Sequence, residues 1–200
     1  HISRLSRSEI RKDITGSLRC LGTDFIDLYW LHRDDETVEP GEFIEILNEF
    51  RSEGIIRCFG ASNFRAERIA EANRYAEIHG KEKFCASQIK WGLAITSPGA
   101  EYDDTIQEMN ESHYRFHCET KLPLFAYSSQ AKGFFSKLHI DDNGEAFMEQ
   151  GKCRDRYFCR ENIEIYRRLL EKAKESGKSV AELALRSLLD SEFPVHCIVG

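Results

Sequence analysis

Apolar residues recur along this chain with two alternating periods. After Ser6, which with Glu9 three residues later makes a capping box, Ile10, Ile14, Leu18 and Leu21 fall on one helical face and Gly22 ends it. The run 25–31 is short, apolar and aromatic and stops abruptly at His32-Arg33-Asp34-Asp35, which predicts a strand with chemistry at its C-terminal end. Phe43, Ile46, Leu47 and Phe50 then mark a second helix stopped by Gly54, and a strand over 55–61 ends in Ser62-Asn63. A third helix over 65–79, with Ile69, Ala70, Ala72 and Ala76 inward and Gly80 as its stop, precedes a strand over 84–91.

The second half repeats the alternation less regularly. A helix over 103–118 is expected after the turn-rich Ser97-Pro98-Gly99, and a strand over 122–127 begins at Pro123, where a missing amide donor is tolerated. That strand also runs into polar residues, Ser128-Ser129-Gln130. The mixed stretch 132–160 reads as a surface loop, long enough to act as a lid. Two helices follow, over 162–176 with Ile163, Tyr166, Leu169, Leu170 and Ala173 inward, and from the capping box Ser179 and Glu182 to Asp190. Pro194 opens a last strand over 195–199.

Apolar strands separated by helices pair in parallel and are covered by those helices, so the chain is of the α/β class and reads as one domain. An open doubly wound sheet would carry a glycine-rich phosphate loop after its first strand, and neither G-x-G-x-x-G nor G-x-x-x-x-G-K-[ST] occurs. A (β/α)8 barrel places its chemistry at the C-terminal ends of several strands, where His32, Ser62, Asn63 and Tyr127 fall. Such a barrel takes about 250 residues and eight strands. The pattern yields five, so about strands 4 to 8 are expected here, with three strand-helix units preceding residue 1.

Composition narrows the function. With 28 Lys+Arg against 34 Asp+Glu the formal charge is −6, and no dense basic block exists to neutralise nucleic-acid phosphates. No apolar run approaches the ~20 residues that cross a bilayer, and the first seven residues lack the apolar core of a secretory signal. The seven cysteines are odd in number and contain no C-x-x-C pair, which predicts buried, reduced thiols in a cytoplasmic protein.

Several segments, in order, resemble the aldo-keto reductase family. Leu21-Gly22-Thr23-Asp24-Phe25-Ile26-Asp27-Leu28-Tyr29-Trp30-Leu31-His32 is similar to its fourth-strand motif, and residues 54–64, ending Gly60-Ala61-Ser62-Asn63-Phe64, to its fifth. Ser87-Gln88-Ile89 resembles the sixth, Phe125-Ala126-Tyr127-Ser128-Ser129 the seventh and residues 195–200 the eighth. The resemblance implies a barrel that transfers hydride between NADP(H), less often NAD(H), and a small-molecule carbonyl. The family's catalytic Asp, Tyr, Lys and His would be represented here by His32 alone, the strands supplying the other three lying before residue 1; Tyr29, Lys12 and Asp27 are not substitutes. Ser62, Asn63 and Gln88 match residues that hold the nicotinamide carboxamide, Tyr127 the aromatic residue under the ring, and Ser128, Gln130 and Gly133 the segment along the pyrophosphate. The resemblance also allows a nucleotide-binding regulatory subunit or a pseudoenzyme on the same barrel.

Each residue has a plainer reading. His32 suits a capped loop, Ser62-Asn63 a helix N-cap, Gln88 the satisfaction of buried backbone groups, and Tyr127 the core. His113 and His117 stand at i, i+4 with Cys118 beside them, but Tyr114 occupies the place where H-E-x-x-H needs Glu, so a solvated helix face is expected rather than a metal site.

Overall fold

The computed structural model describes residues 4–101 and 103–200; residues 1–3, on which part of the N-terminal reading rests, lie outside them. The chain divides into two compact units, residues 1–89 with 105–124, and residues 90–104 with 125–200.

In the first unit α1 (Arg7–Leu21) starts at Ser6, whose hydroxyl accepts the Glu9 amide, and ends at Gly22, whose left-handed backbone (φ 66) carries its N–H to Leu18 O. Ile10 and Ile14 are buried as expected, while Leu21 is exposed, because it sits in the final turn beyond the reach of the core. Strands β1 (Ile26–Leu31), β2 (Ile56–Ser62) and β3 (Ser87–Lys90) are parallel and adjacent in that order, joined by α2 (Pro40–Ser52) and α3 (Ala66–Ile78). Phe43, Ile44, Leu47 and Phe50 of α2 are fully buried, and Phe43 meets Phe64 edge-on at 5.7 Å between ring centres. On α3, Ile69, Ala72 and Ala76 face the core, whereas Ala70 is exposed, one step off the inward stripe.

Helix α4 (Glu111–Thr120) is shorter than its expected span of 103–118. It starts where Asn110 caps it, accepting the His113 amide at 3.0 Å, because the preceding residues are bonded elsewhere: Thr105 Oγ1 accepts Arg33 Nε and the Gln107 amide donates to Asn63. His113 and His117 do not form a solvated face. They are 1% and 0% exposed, pointing inward from α4.

In the second unit β4 (Leu124–Tyr127) lies beside β7 (Val195–Cys197), and the Ile198 amide donates to Ala126 O. The stretch 132–160 is not a plain surface loop. It contains a 3-10 turn over Ala131–Gly133, α5 (Phe134–Lys137), the antiparallel pair β5 (His139–Ile140) and β6 (Ala146–Phe147), and α6 (Lys152–Tyr157). Phe134, Phe135, Leu138, Met148 and Tyr157 are buried together against α7 (Arg160–Ser176) and α8 (Val180–Leu189), so this stretch supplies core rather than a free lid. Ser179 caps α8 by accepting the Glu182 amide.

All seven cysteines are free, and none is fully buried: Cys20 and Cys85 are exposed and the rest half-buried. Among the described residues no helix is long and apolar enough to cross a membrane.

Candidate functional site

The register of the first unit fixes the site. Leu31 pairs with Ala61, so His32 falls level with Ser62, and Ser62 in turn pairs with Gln88. Three polar residues thus lie at one level across three neighbouring strands, His32 just after β1, Ser62 at the end of β2 and Gln88 as the second residue of β3. Ser62 Oγ donates to Gln88 Oε1 at 3.3 Å, Asn63 Nδ2 donates to Ser62 Oγ at 3.0 Å and to the His32 carbonyl at 3.3 Å, and Asn63 Oδ1 accepts the Gln107 amide at 3.1 Å. Ser62 and Asn63 are buried, Gln88 is half-buried and His32 exposed.

Asn63 adopts a left-handed backbone (φ 58), which Asn accepts more readily than most residues with a Cβ. Neither Ser62 nor Asn63 caps the following helix, whose N-cap position is Arg65 without a side-chain bond. The hydroxyl and amide are committed across the strand ends instead.

Behind this row two histidines fix the backbone. His117 Nδ1 sits 2.7 Å from Leu122 O, which can only accept, so its proton lies there and Nε2 accepts from Ser87 Oγ at 2.9 Å. His113 Nε2 lies 3.2 Å from Phe64 O. Burial pushes both pKa values below the ordinary histidine range. In the segment after His32, Arg68 forks onto Asp34 at 3.0 and 3.2 Å and donates to Asp35 O and Val38 O, pinning the exit of β1. The sequence reading did not single out Arg68; its signal was only a basic residue on the inward face of α3.

Tyr29 and Asp27 are committed elsewhere. Burial, followed by the Asp13 carboxylate, pushes the Tyr29 phenol up to about 12, and Asp27 pairs with Arg57 at 2.8 Å.

The second unit holds the other candidates. Tyr127 is half-buried and its carbonyl accepts the Trp91 amide at 3.1 Å. The chain then turns sharply: Ser128 (φ 55), Ala131 (φ 48), Lys132 (φ 57) and Gly133 (φ 79) are all left-handed, with Ser128 O and Gln130 O accepting the Ala131 and Gly133 amides at 2.8 Å. Three non-glycine residues in that region within five positions store strain of a kind that clusters at ligand clamps. Ser129, to which the sequence assigns no role of its own, is buried and anchors the turn by donating to Ile198 O at 2.7 Å. The structure therefore brings His32, Ser62, Asn63 and Gln88 together on one unit, and Tyr127, Ser128, Gln130 and Gly133 on the other.

Within the row both hydrogens and the oxygen of the Asn63 amide and the Ser62 hydroxyl are bonded to neighbours, and half-buried Gln88 adds a second side-chain amide whose Oε1 accepts from Ser62.

Known proteins are similar to this chain along most of its length. The model of the aldo/keto reductase family matches residues 1–200. The chain is 28% identical over 189 residues to the aldo-keto reductase YhdN of Bacillus subtilis (strain 168), covering 92% of this chain and 52% of that protein. It is 40% identical over 79 residues to the NADH-specific methylglyoxal reductase of Escherichia coli (strain K12), covering 37% of this chain and 24% of that one. A solved thermostable aldo-keto reductase superposes with a TM-score of 0.65 at 20% identity, over 98% of this chain and 58% of that one. The chain thus spans about half the length of the relatives it matches along most of its own.

Proposed function

Since the chain belongs to the aldo/keto reductase family, we propose that it forms the dinucleotide-holding half of a (β/α)8 barrel that reduces small carbonyl compounds with NADP(H) or NAD(H). The observation that carries this reading is the row of polar groups at one level across β1, β2 and β3, with Ser62, Asn63 and Gln88 hydrogen-bonded to one another.

In this reading Ser62, Asn63 and Gln88 hold the carboxamide. Their mutual bonds fix the rotamers, so the amide dipoles are oriented before a ligand arrives. For the second unit the same reading gives Tyr127 the stacking role and Ser128, Gln130 and Gly133, in the left-handed turn over 128–133, the diphosphate. When bound, the dinucleotide supplies the hydride. His32 donates a hydrogen bond to the carbonyl oxygen as that oxygen gains charge.

In this reading Tyr29 is not the proton donor. A Tyr29 phenol titrating at about 12 is far from the range of an efficient general acid near neutral pH. This favours, as a second reading, a chain that binds dinucleotide without reducing a carbonyl by itself, whether as a fragment of a reductase or as a regulatory nucleotide-binding module. Seven free thiols suit the reducing cytoplasm.

The test is binding and turnover measured side by side. The 200-residue chain is expected to bind NADPH or NADH, and Gln88→Leu to weaken that binding by about tenfold, the worth of one good hydrogen bond. Consumption of NADPH with a generic aldehyde should stay at background. Robust turnover would refute the assignment of roles, and absence of binding would refute the site.

A further inference from the structure

A buried charge lies two residues beyond Gln88. Lys90, the last residue of β3, is 3% exposed, and its ammonium donates to Thr96 Oγ1 at 2.6 Å and to Glu101 Oε2 at 2.9 Å. The other oxygen of Glu101 accepts from Arg156 of α6 at 3.4 Å, so one carboxylate bridges two cations. Thr96 and Glu101 both belong to the segment 91–101 that follows Lys90. The same segment is laced down at two further points: Asn162 of α7 bonds both the amide and the carbonyl of Ile95, and the Ser97 amide donates to Arg156 O at 2.8 Å.

The near end of this strap rests on the left-handed turn. The Trp91 amide donates to Tyr127 O. A Cβ placed on Gly92 would stand 3.0 Å from Ser128 O and 3.1 Å from Ser129 O, so the Gly92 backbone packs directly on those carbonyls. At the far end, Ala100 lines a cavity of about 360 Å³ together with Lys132, Lys152, Asp155 and Arg156. The strap thus adjoins the turn near both of its ends, at Ser128 and at Lys132, and a desolvated ion cluster fixes its course. An ammonium this buried is costly unless its partners are held in place, which makes the cluster intolerant of alternative strap positions.

We propose that Lys90 is a positioning residue for dinucleotide binding: with Glu101 and Arg156 it latches the 91–101 strap, and the strap holds Ser128 in its left-handed, ligand-accepting shape. This rests on the reading of Ser128, Gln130 and Gly133 as the diphosphate segment. Lys90 itself touches no ligand in this account.

The test uses the full chain and two readouts: amide hydrogen exchange at Ile95 and Ser97, which reports the latch, and the dissociation constant for NADPH and NADH, which reports its consequence. Lys90→Met, close in length but uncharged, is expected to lose protection at both amides by tenfold or more and to weaken dinucleotide binding about tenfold. Lys90→Arg, which keeps the charge, should recover much of both. Gly92→Ala should weaken binding while leaving protection at Ile95 and Ser97 in place. Protection retained in Lys90→Met overturns the latch, and protection lost with unchanged affinity overturns its positioning role. A parent chain that binds no dinucleotide sinks the diphosphate reading and with it the positioning role, whereas a parent that binds and a Lys90→Met chain that binds equally sinks the positioning role alone. If Lys90→Met does not fold, Thr96→Val, which removes one acceptor, and Glu101→Gln, which removes the carboxylate charge, carry the same comparison.

Discussion

Replacing Asn63 separates two contributions that meet in one residue. Its side chain makes three hydrogen bonds, to Ser62 Oγ at 3.0 Å, to His32 O at 3.3 Å and from the Gln107 amide at 3.1 Å, in a site where the residue is only 2% exposed. At about 1 kcal/mol net for each, their loss costs about 3 kcal/mol. The backbone at φ 58 adds about 1 kcal/mol when the residue is alanine and little when it is glycine. Asn63→Ala should therefore lose about 4 kcal/mol and Asn63→Gly about 1 kcal/mol less, a large part of the 5–15 kcal/mol that stabilises a typical domain. Urea unfolding in a Trp91→Phe background lets Trp30 of β1 report on the first unit, and hydrogen exchange at the Gln107 amide reports directly on the lost acceptor. An alanine variant as stable as the glycine variant would show that the left-handed backbone is not imposed. A total loss below about 1 kcal/mol would show that the bonded row contributes little to stability.

Two further predictions concern the first unit. His113 and His117 are depressed by burial, so the unfolded chain takes up protons that the folded chain refuses; stability should be level above the ordinary histidine pKa of about 6.5 and fall as the pH drops below it, until the folded-state values are passed. Chemical denaturation at a series of pH values checks this, and His117→Leu should flatten the slope. At Gly60 a Cβ would collide with the Trp30 ring and stand 2.9 Å from the Ala86 carbonyl, which cannot swing away, so Gly60→Ala should cost about 1–3 kcal/mol in the same unfolding assay.

Much of this molecule is legible in its sequence because the signals are local. Ser6 with Glu9, Gly22, and Ser179 with Glu182 mark helix ends through bonds made within one turn, and these ends form as the sequence predicts. The pair His32 and Ser62 is legible for a related reason: polar residues that end apolar strands come level once the strands pair in parallel, and Gln88, inside β3, joins them through the register Ser62–Gln88. What escapes the reading depends on distant partners. Residues 103–110 resemble helix until Asn63, some forty residues earlier, takes the Gln107 amide, after which Asn110 is the first residue able to cap. His113 and His117 look polar at helical spacing, yet each meets a carbonyl acceptor from outside α4 that makes burial tolerable. The core residues of 134–157 are spread over elements of two to six residues, too short for either period to register. Lys90 gives no signal in an apolar strand until Glu101, eleven residues on, pairs both with it and with Arg156.

The central claim is that Ser62, Asn63 and Gln88 form a prepared receptor for a carboxamide. Titration of the isotope-labelled chain with NADPH and NADH, following the side-chain amide resonances of Gln88 and Asn63 by NMR, tests it most directly. The account predicts saturable shifts of the Gln88 amide that free nicotinamide mononucleotide reproduces at higher concentration and that Ser62→Ala weakens. Dinucleotide binding that leaves both side-chain amides unmoved would contradict it.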